Sequence, residues 1–290
     1  MAKRCIGDYY IRDTIGQGTF SKVKMGVHMK TGKRVALKFI DTDVAEKTVG
    51  MTQLEREIDI HSKLDHPNVA KLIEVIRQDD RGRICLVMEH VEGTDLLDLM
   101  LDSPKGKFSE KEAAFYFSQI TSAVSYIHER DIAHRDIKLE NVMVAANGHC
   151  KLIDFGFSRK ISIQSPIMRT PCGSSLYSAP EIMLRKKYCG KQTDMWSLGV
   201  LLYSLVSGSV PWAGADIHKK RCHAVKGEYV PLEEASPALQ NLIMGCLCVA
   251  PSDRMTSMEA SSHEWTRARE KGMKRKLSGK LTRIIKRMMT

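Results

Sequence analysis

Eight consecutive residues, His134-Arg135-Asp136-Ile137-Lys138-Leu139-Glu140-Asn141, constrain the chain more than any other stretch. They bring two acids, two strong bases and an amide together, and the apolar Ile132, Ile137 and Leu139 tie them to a core. The run Asn141-Val142-Met143-Val144 follows, then Asn147-Gly148, then Lys151-Leu152-Ile153, ending at Asp154-Phe155-Gly156. An Asn-Gly pair between two apolar runs predicts a β-hairpin, with Asp154 just past its second strand. Two carboxylates, a cation and an amide then converge at one end of a small sheet. That set suits a reaction with several anionic oxygens, metal ions and one proton to remove.

The rest of the chain is long enough to enclose such a site. Its 290 residues, 43% hydrophobic and 27% charged, fit one large or two modest globular domains. The longest strongly apolar stretch, Trp196 to Val206, is too short to span a bilayer and reads as a buried helix. No apolar signal core follows Met1-Ala-Lys-Arg-Cys5, and eight scattered cysteines form no paired Cys-x-x-Cys motif. Reduced thiols and a cytoplasmic, or also nuclear, location are expected. The net charge is +11, but Thr266–Thr290 carries ten Lys/Arg and one acid, which leaves +2 for the other 265 residues.

Residues 9–40 alternate as strands do. Gly16-Gln17-Gly18-Thr19-Phe20-Ser21-Lys22-Val23 forms a turn between two of them, and Val35-Ala36-Leu37-Lys38-Phe39-Ile40 follows. Glycine removes the Cβ, so backbone N–H groups in such a turn can face phosphate oxygens. Residues 51–64 predict a helix with Leu54, Ile58, His61 and Leu64 in one stripe. Glu57 falls on that inward face, whereas Glu55, Arg56 and Asp59 point elsewhere. A carboxylate facing a core needs a partner, and Lys38 is the one expected; His61 is read as packing. Ile84–Met88 predicts a buried strand that ends at Glu89-His90-Val91-Glu92-Gly93. Ser109-Glu110-Lys111-Glu112 is a capping box that opens a helix running to about Glu129. Residues 154–181 lack strong periodicity.

Taken in order, these motifs resemble a eukaryotic-type protein kinase over residues 9–265. The resemblance rests on Gly16-x-Gly18, Lys38, Glu57, His134-Arg135-Asp136 through Asn141, Asp154-Phe155-Gly156, Ala179-Pro180-Glu181, Asp194 and Arg254. Ser21 stands where the family usually has a third glycine. Lys138, two residues after Asp136, resembles the Ser/Thr class. Residues 168–178 resemble the calcium/calmodulin-dependent and AMP-activated-related branch, which includes the testis-specific Ser/Thr kinases.

The resemblance implies an α+β, two-lobed fold: a small β-rich lobe with one main helix over about 9–88, a hinge at 89–93 and a larger helical lobe over about 94–265. It implies ATP and Mg2+ as cofactors. Asp136 would accept the proton of the incoming hydroxyl, and Lys138 would stabilise the moving phosphoryl group. Lys38, held by Glu57, would fix the α and β phosphates, and Asn141 and Asp154 would hold magnesium. Ile15, Gly16, Gln17, Gly18, Thr19, Phe20, Ser21, Lys22, Val23, Ala36, Met88, Glu89, Val91 and Met143 would line the nucleotide site. Asp95 would take the ribose hydroxyls, although an acid at a helix start also reads as a cap. Structural roles follow too, a Glu181–Arg254 ion pair and Asp194 bracing the catalytic loop. Thr170 would be an activating phosphosite for an upstream kinase, Arg135 its phosphate anchor, and Ser174 would bond near Asp136 and Lys138. Substrates would be proteins bearing Ser or Thr, with Glu140 favouring an upstream Arg. The protein is expected to be a monomer.

In the tail, Leu277, Leu281, Ile284, Ile285 and Met288 share a helical stripe among Lys and Arg. That pattern suits calmodulin, an anionic membrane or the chain's own domain, or a solvated helix. No base-stacking aromatics accompany the charges, so nucleic-acid binding is not expected. Two alternatives remain at this level: a pseudokinase scaffold, and a module recruited through its tail.

Overall fold

The computed structural model describes residues 4–17, 21–48, 50–77, 82–161, 167–168 and 175–267. Gly18, Thr19, Phe20, Thr170, Ser174 and the stripe at 277–288 therefore lie outside the described residues. The chain divides into two compact units, Met1–Val91 and Glu92–Thr290.

The first unit is built on one antiparallel sheet. Its strands are β1 (Cys5–Ile6), β2 (Tyr9–Gln17), β3 (Ser21–His28), β4 (Arg34–Asp41), β5 (Leu72–Arg77) and β6 (Arg83–Glu89), in the order β1-β2-β3-β4-β6-β5. Strand alternation sorts the side chains of β4 between two cores. Val35, Leu37 and Phe39 join Ile6, Tyr9, Cys85 and Val87 on one side. Ile40 joins Leu54, Ile58, Ile84 and Leu86 on the other.

Two helices follow β4: α1 (Thr42–Thr48), which the apolar pattern does not predict, and α2 (Met51–Ser62). The expected stripe of α2 faces inward, with Leu54 and Ile58 each 5% exposed and His61 4%. His61 Nε2 lies 2.7 Å from the Ala70 carbonyl, which satisfies the ring where an aliphatic side chain would need no partner.

The second unit is mostly helical. It begins with β7 (Gly93–Asp95) and α3 (Leu96–Leu101), followed by α4 (Glu110–Glu129) and β8 (Ile132–Ala133). The hairpin β9 (Val142–Ala145) and β10 (Cys150–Leu152) comes next, then β11 (Arg159–Lys160), β12 (Ile167–Met168), α5 (Pro180–Met183) and β13 (Tyr188–Cys189). The remaining helices are α6 (Gly190–Ser207), α7 (Ile217–Lys226), α8 (Pro237–Cys246), α9 (Ser257–Ser262) and α10 (Glu264–Arg267).

The helix α4 starts where the capping box predicts. The Ser109 side chain accepts from the Glu112 N–H, and Glu112 accepts from the Ser109 N–H. Its inward ladder includes Ala113, Phe117, Ile120, Val124 and Ile127. Burying each of the larger of these contributes about 1.5–3 kcal/mol. It packs against α6 and α9. The helix α6 is apolar around most of its circumference, with Trp196, Leu198, Leu201 and Leu205 all fully buried, as a helix enclosed on every side must be. None of the described helices is long and apolar enough to cross a membrane.

A fixed carboxylate ties the ends of this unit together. Glu110 accepts from the Ser236 N–H and hydroxyl, each at 2.7 Å, and from Trp265 Nε1 at 2.8 Å. The start of α4 is thereby joined to the cap of α8 and to α10.

Candidate active site

In the second unit, the hairpin sets the site. β9 pairs antiparallel with β10, Val142 opposite Leu152 and Val144 opposite Cys150. Gly148 closes the turn at φ +83°. The ladder extends through the Ile153 N–H to the Asn141 carbonyl at 2.9 Å, which delivers Asp154 to the end of the sheet. Asp154 adopts φ +58° and Arg135 φ +67°. Non-glycine residues are rare there, and such strain persists only where surrounding bonds enforce it.

Those bonds are visible. The Asp194 carboxylate, 1% exposed, accepts the His134 N–H at 2.8 Å and the Arg135 N–H at 2.7 Å. His128 Nε2 approaches the same carboxylate at 2.9 Å, and its Nδ1 lies 3.1 Å from the Ser257 hydroxyl. The loop's sharp turn is thus anchored to α6 and, through His128, to α4. The Asp154 Oδ1 accepts from the Gly156 N–H at 3.3 Å, which supports the second left-handed residue.

His134 joins the two halves of the site. The Asp136 N–H donates to its Nδ1 at 3.3 Å, so Nε2 carries the proton and donates to the Ile153 carbonyl at 3.1 Å. Its ring meets Phe155 edge-on, with centroids 4.9 Å apart. Sequence pattern alone assigns no role to His134 or to His128. The available signal for His128 was a polar side chain on the inward face of α4, one residue after Ile127.

Asp136, 6% exposed, carries the most organised carboxylate of the loop. Its Oδ2 receives Lys138 Nζ at 3.0 Å and Asn141 Nδ2 at 2.8 Å. Asn141 Nδ2 also donates to the Asp136 carbonyl at 2.8 Å. With the amide nitrogen committed twice, the side chain of Asn141 is fixed, and its Oδ1 is the end that can serve a cation. A neutral oxygen and the Asp154 carboxylate are the donors a hard cation such as Mg2+ accepts, with phosphate oxygens and water completing the shell. The residues present fit that group. Among the described residues there is no cluster of three His, Cys, Asp or Glu that would suit a softer metal.

In the first unit, Lys38 lies on the β4 face that carries Ala36 and Ile40. Ile40 packs with Leu54 and Ile58 of α2, the helix of Glu57. Glu57 is 8% exposed and accepts from Gln53 Nε2 at 2.9 Å. Glu55 lies on the outer face, its Oε2 bonded to Arg77 Nη2 at 2.7 Å, and the Arg77 guanidinium holds its carboxyl below the usual range. Met88 pairs with Ala36 across β4 and β6. Ile15 is 49% exposed, and Gly16, Gln17, Ser21, Lys22 and Val23 belong to the paired ends of β2 and β3, with Gly16 opposite Val23 and Gln17 opposite Lys22. The Glu89 N–H is given to the Lys71 carbonyl at 2.8 Å, and half-buried Val91 is the last residue of this unit.

Asp95 is the N-cap of α3, its Oδ1 accepting from the Asp98 N–H at 2.9 Å. A contact with a ribose would have to share a carboxylate that already caps a helix. Met143 pairs with Lys151 and Asp95 on the half-buried face of β9. The expected structural pair is present. Arg254 Nη1 lies 2.9 Å from Glu181 Oε1 and Nη2 3.2 Å from Oε2, in a fork buried over Trp196.

Residues 9–266 match the family described as protein kinase domain. The chain is 37% identical over 262 residues to "Probable serine/threonine-protein kinase MARK-C" of Dictyostelium discoideum, covering 90% of this chain and 33% of that protein. It is 40% identical over 258 residues to "NUAK family SNF1-like kinase 2" of Homo sapiens, covering 89% of this chain and 40% of that protein. The chain thus spans about a third to two-fifths of the length of these curated relatives. With 258 of its 290 residues matched, the chain belongs to the protein kinase domain family, among relatives named as serine/threonine and SNF1-like kinases.

Proposed function

We propose that the chain is a protein Ser/Thr kinase that transfers the γ-phosphate of ATP to Ser or Thr hydroxyls of protein substrates. The observation that carries this reading is the geometry at Asp136. Two donors on Oδ2, Lys138 Nζ and Asn141 Nδ2, lock the orientation of a buried carboxylate. A carboxylate so held can orient an incoming hydroxyl and take its proton without reorganising. Lys138 places a cation beside that carboxylate, where negative charge grows as a phosphoryl group moves.

Asn141 Oδ1 and Asp154 are assigned to magnesium, which when bound supplies charge neutralisation on the phosphates. Lys38 is assigned to the α and β phosphates, with Glu57 holding it. The turn at 16–23 is assigned to the phosphates, and Ile15, Ala36, Met88, Met143 and the backbone of Glu89 and Val91 to the adenine. Since its N–H is taken by Lys71, Glu89 offers the adenine amino group its carbonyl. Lys138 supports the Ser/Thr class.

The test is phosphate transfer from Mg-ATP to an Arg-containing Ser/Thr peptide and to a Tyr peptide. Transfer to the first alone is expected. Transfer to Tyr alone, or nucleotide binding with no transfer after treatment with an activating kinase, would sink the reading in favour of a scaffold.

Activation by phosphorylation at Thr170 belongs to the same proposal. Arg135 supports it, because Asp194 fixes its backbone and its Nε donates to the Phe157 carbonyl at 2.6 Å, which pins the guanidinium in place. Thr170→Ala should lower activity; full activity of the unphosphorylated wild type would remove the proposal.

A further inference from the structure

A basic surface lies on the second unit, formed by two elements that the catalytic chemistry does not use. The turn Leu184-Arg185-Lys186-Lys187 leaves α5, and α5 packs against α7, whose first turns carry Lys219, Lys220 and Arg221. All of these except half-buried Lys220 are exposed. None of the six Lys/Arg forms an ion pair with a described residue. The acids nearby in the chain are engaged: Asp216 caps α7 through the Lys219 N–H at 2.9 Å, and Glu228 pairs with His223 at 2.9 Å. Two large exposed apolar side chains belong to the same two elements, Leu184 beside Arg185 at 47% exposed and Ile217 at the start of α7 at 39%.

A second observation concerns Arg185. The Arg185 N–H donates to the Ile182 carbonyl at 3.0 Å and the Lys186 N–H to the Glu181 carbonyl at 2.9 Å. That is a Schellman stop, with Arg185 at its left-handed position, φ +54°. The same stop ends α7, where the residue is Gly227 at φ +73°. Glycine adopts that conformation without strain, whereas a side chain pays roughly 1–2 kcal/mol. The chain keeps a cation where its own α7 keeps a glycine.

We propose that this surface docks an acidic segment of a substrate protein, one that carries apolar residues for Leu184 and Ile217. The inference rests on the kinase reading, because it makes the partner a substrate. Unpaired cations and exposed aliphatics on the same two elements fit carboxylates interleaved with leucine-like side chains. A nucleic acid would call for aromatic stacking, and the uncharged members here are aliphatic.

The probe is a labelled peptide of alternating Glu and Leu, followed by fluorescence anisotropy, so that binding is read without catalysis. The same segment is then fused to a Ser/Thr peptide for kinetics. We expect binding that weakens with salt, and that falls about tenfold or more in Lys186→Glu/Lys187→Glu/Lys219→Glu/Lys220→Glu. The fused segment should lower KM in the wild type and not in that variant, with kcat unchanged. Arg185→Gly separates fold from docking: it should hold or raise Tm while weakening the peptide about two- to threefold. Equal binding by wild type and the quadruple variant would overturn the proposal. So would a preference of the same residues for RNA or for anionic vesicles over the peptide. If the peptide binds as expected and no transfer occurs, the surface stands as a docking site and the kinase reading fails by itself.

Discussion

Asp194 holds Arg135 in a left-handed conformation: its buried carboxylate accepts the Arg135 N–H at 2.7 Å while the residue sits at φ +67°. The loop that carries Asp136 is therefore shaped by a residue 58 positions after it, on a different element. Replacing Asp194 by Asn leaves one acceptor oxygen where a carboxylate served three donors. The variant should lose roughly 3 kcal/mol of stability, since a buried unmet donor costs about 1–3 kcal/mol and bonds to a charged acceptor are the stronger ones. Thermal melting checks the loss, and phosphate transfer should fall further than the remaining folded fraction explains.

The Glu181–Arg254 fork predicts a substitution pattern. Arg254 also donates to the Gln192 carbonyl at 2.6 Å and the Cys248 carbonyl at 3.0 Å, so its planar geometry is used on several sides. Arg254→Ala should destabilise by about 3–5 kcal/mol because it strands a buried carboxylate. Arg254→Lys should recover little of that, because an ammonium cannot fill the fork. Chemical denaturation of the two variants gives the comparison directly.

Gly93 predicts a local failure. A Cβ there would lie 1.9 Å from the Val144 carbonyl oxygen, across the pairing of β7 with β9. Backbone cannot give way as a flexible side chain can, so Gly93→Ala should cost about 3 kcal/mol or more. Amide exchange should show the β7–β9 pairing open first. A variant that melts with the wild type would show that β7 shifts freely.

Much of this was legible because the signals were local. The Ser109 box, the Asn147-Gly148 turn and the Leu54–Ile58–His61–Leu64 stripe each fix structure within a few residues. The inward Glu57 could be told from the outward Glu55 by helical spacing alone. Other features depend on partners far along the chain. The strand Gly93–Asp95 has three residues and exists by pairing with β9, some fifty positions on. Nothing near Glu110 announces Ser236 and Trp265 as its partners. The left-handed conformations at Arg135 and Asp154 follow from tertiary bonds, not from residue type. The role of Asp95 stays divided, because an acid opening a helix satisfies the cap wherever else it reaches.

Alkaline pH should loosen the second unit. Cys246, fully buried in α8, has its thiol pushed by burial from an ordinary 9.0 up to about 12. Burial likewise pushes Cys150 and Tyr116 upward. A group whose folded pKa is raised contributes stability in full below its unfolded value, and loses it as pH climbs toward the folded one. Stability should therefore decline from about pH 9 upward. Cys246→Ala, compared at each pH with its own neutral-pH stability, should show a shallower decline. At pH 8, a thiol-alkylating reagent should modify exposed Cys5 and Cys222 well before Cys85, Cys150 or Cys246.

The most direct measurement is the rate of γ-phosphate transfer from Mg-ATP to a Ser/Thr peptide, with nucleotide binding followed in parallel, for wild type, Asp136→Asn and Lys138→Ala. If Asp136 is the proton acceptor held by Lys138 and Asn141, both variants bind nucleotide as the wild type does. Asp136→Asn should lose roughly 100-fold or more in kcat, the scale of a missing general base. Wild-type transfer by Asp136→Asn would contradict that assignment. Absence of transfer by fully activated wild type, with ATP still bound, would contradict the proposed activity itself.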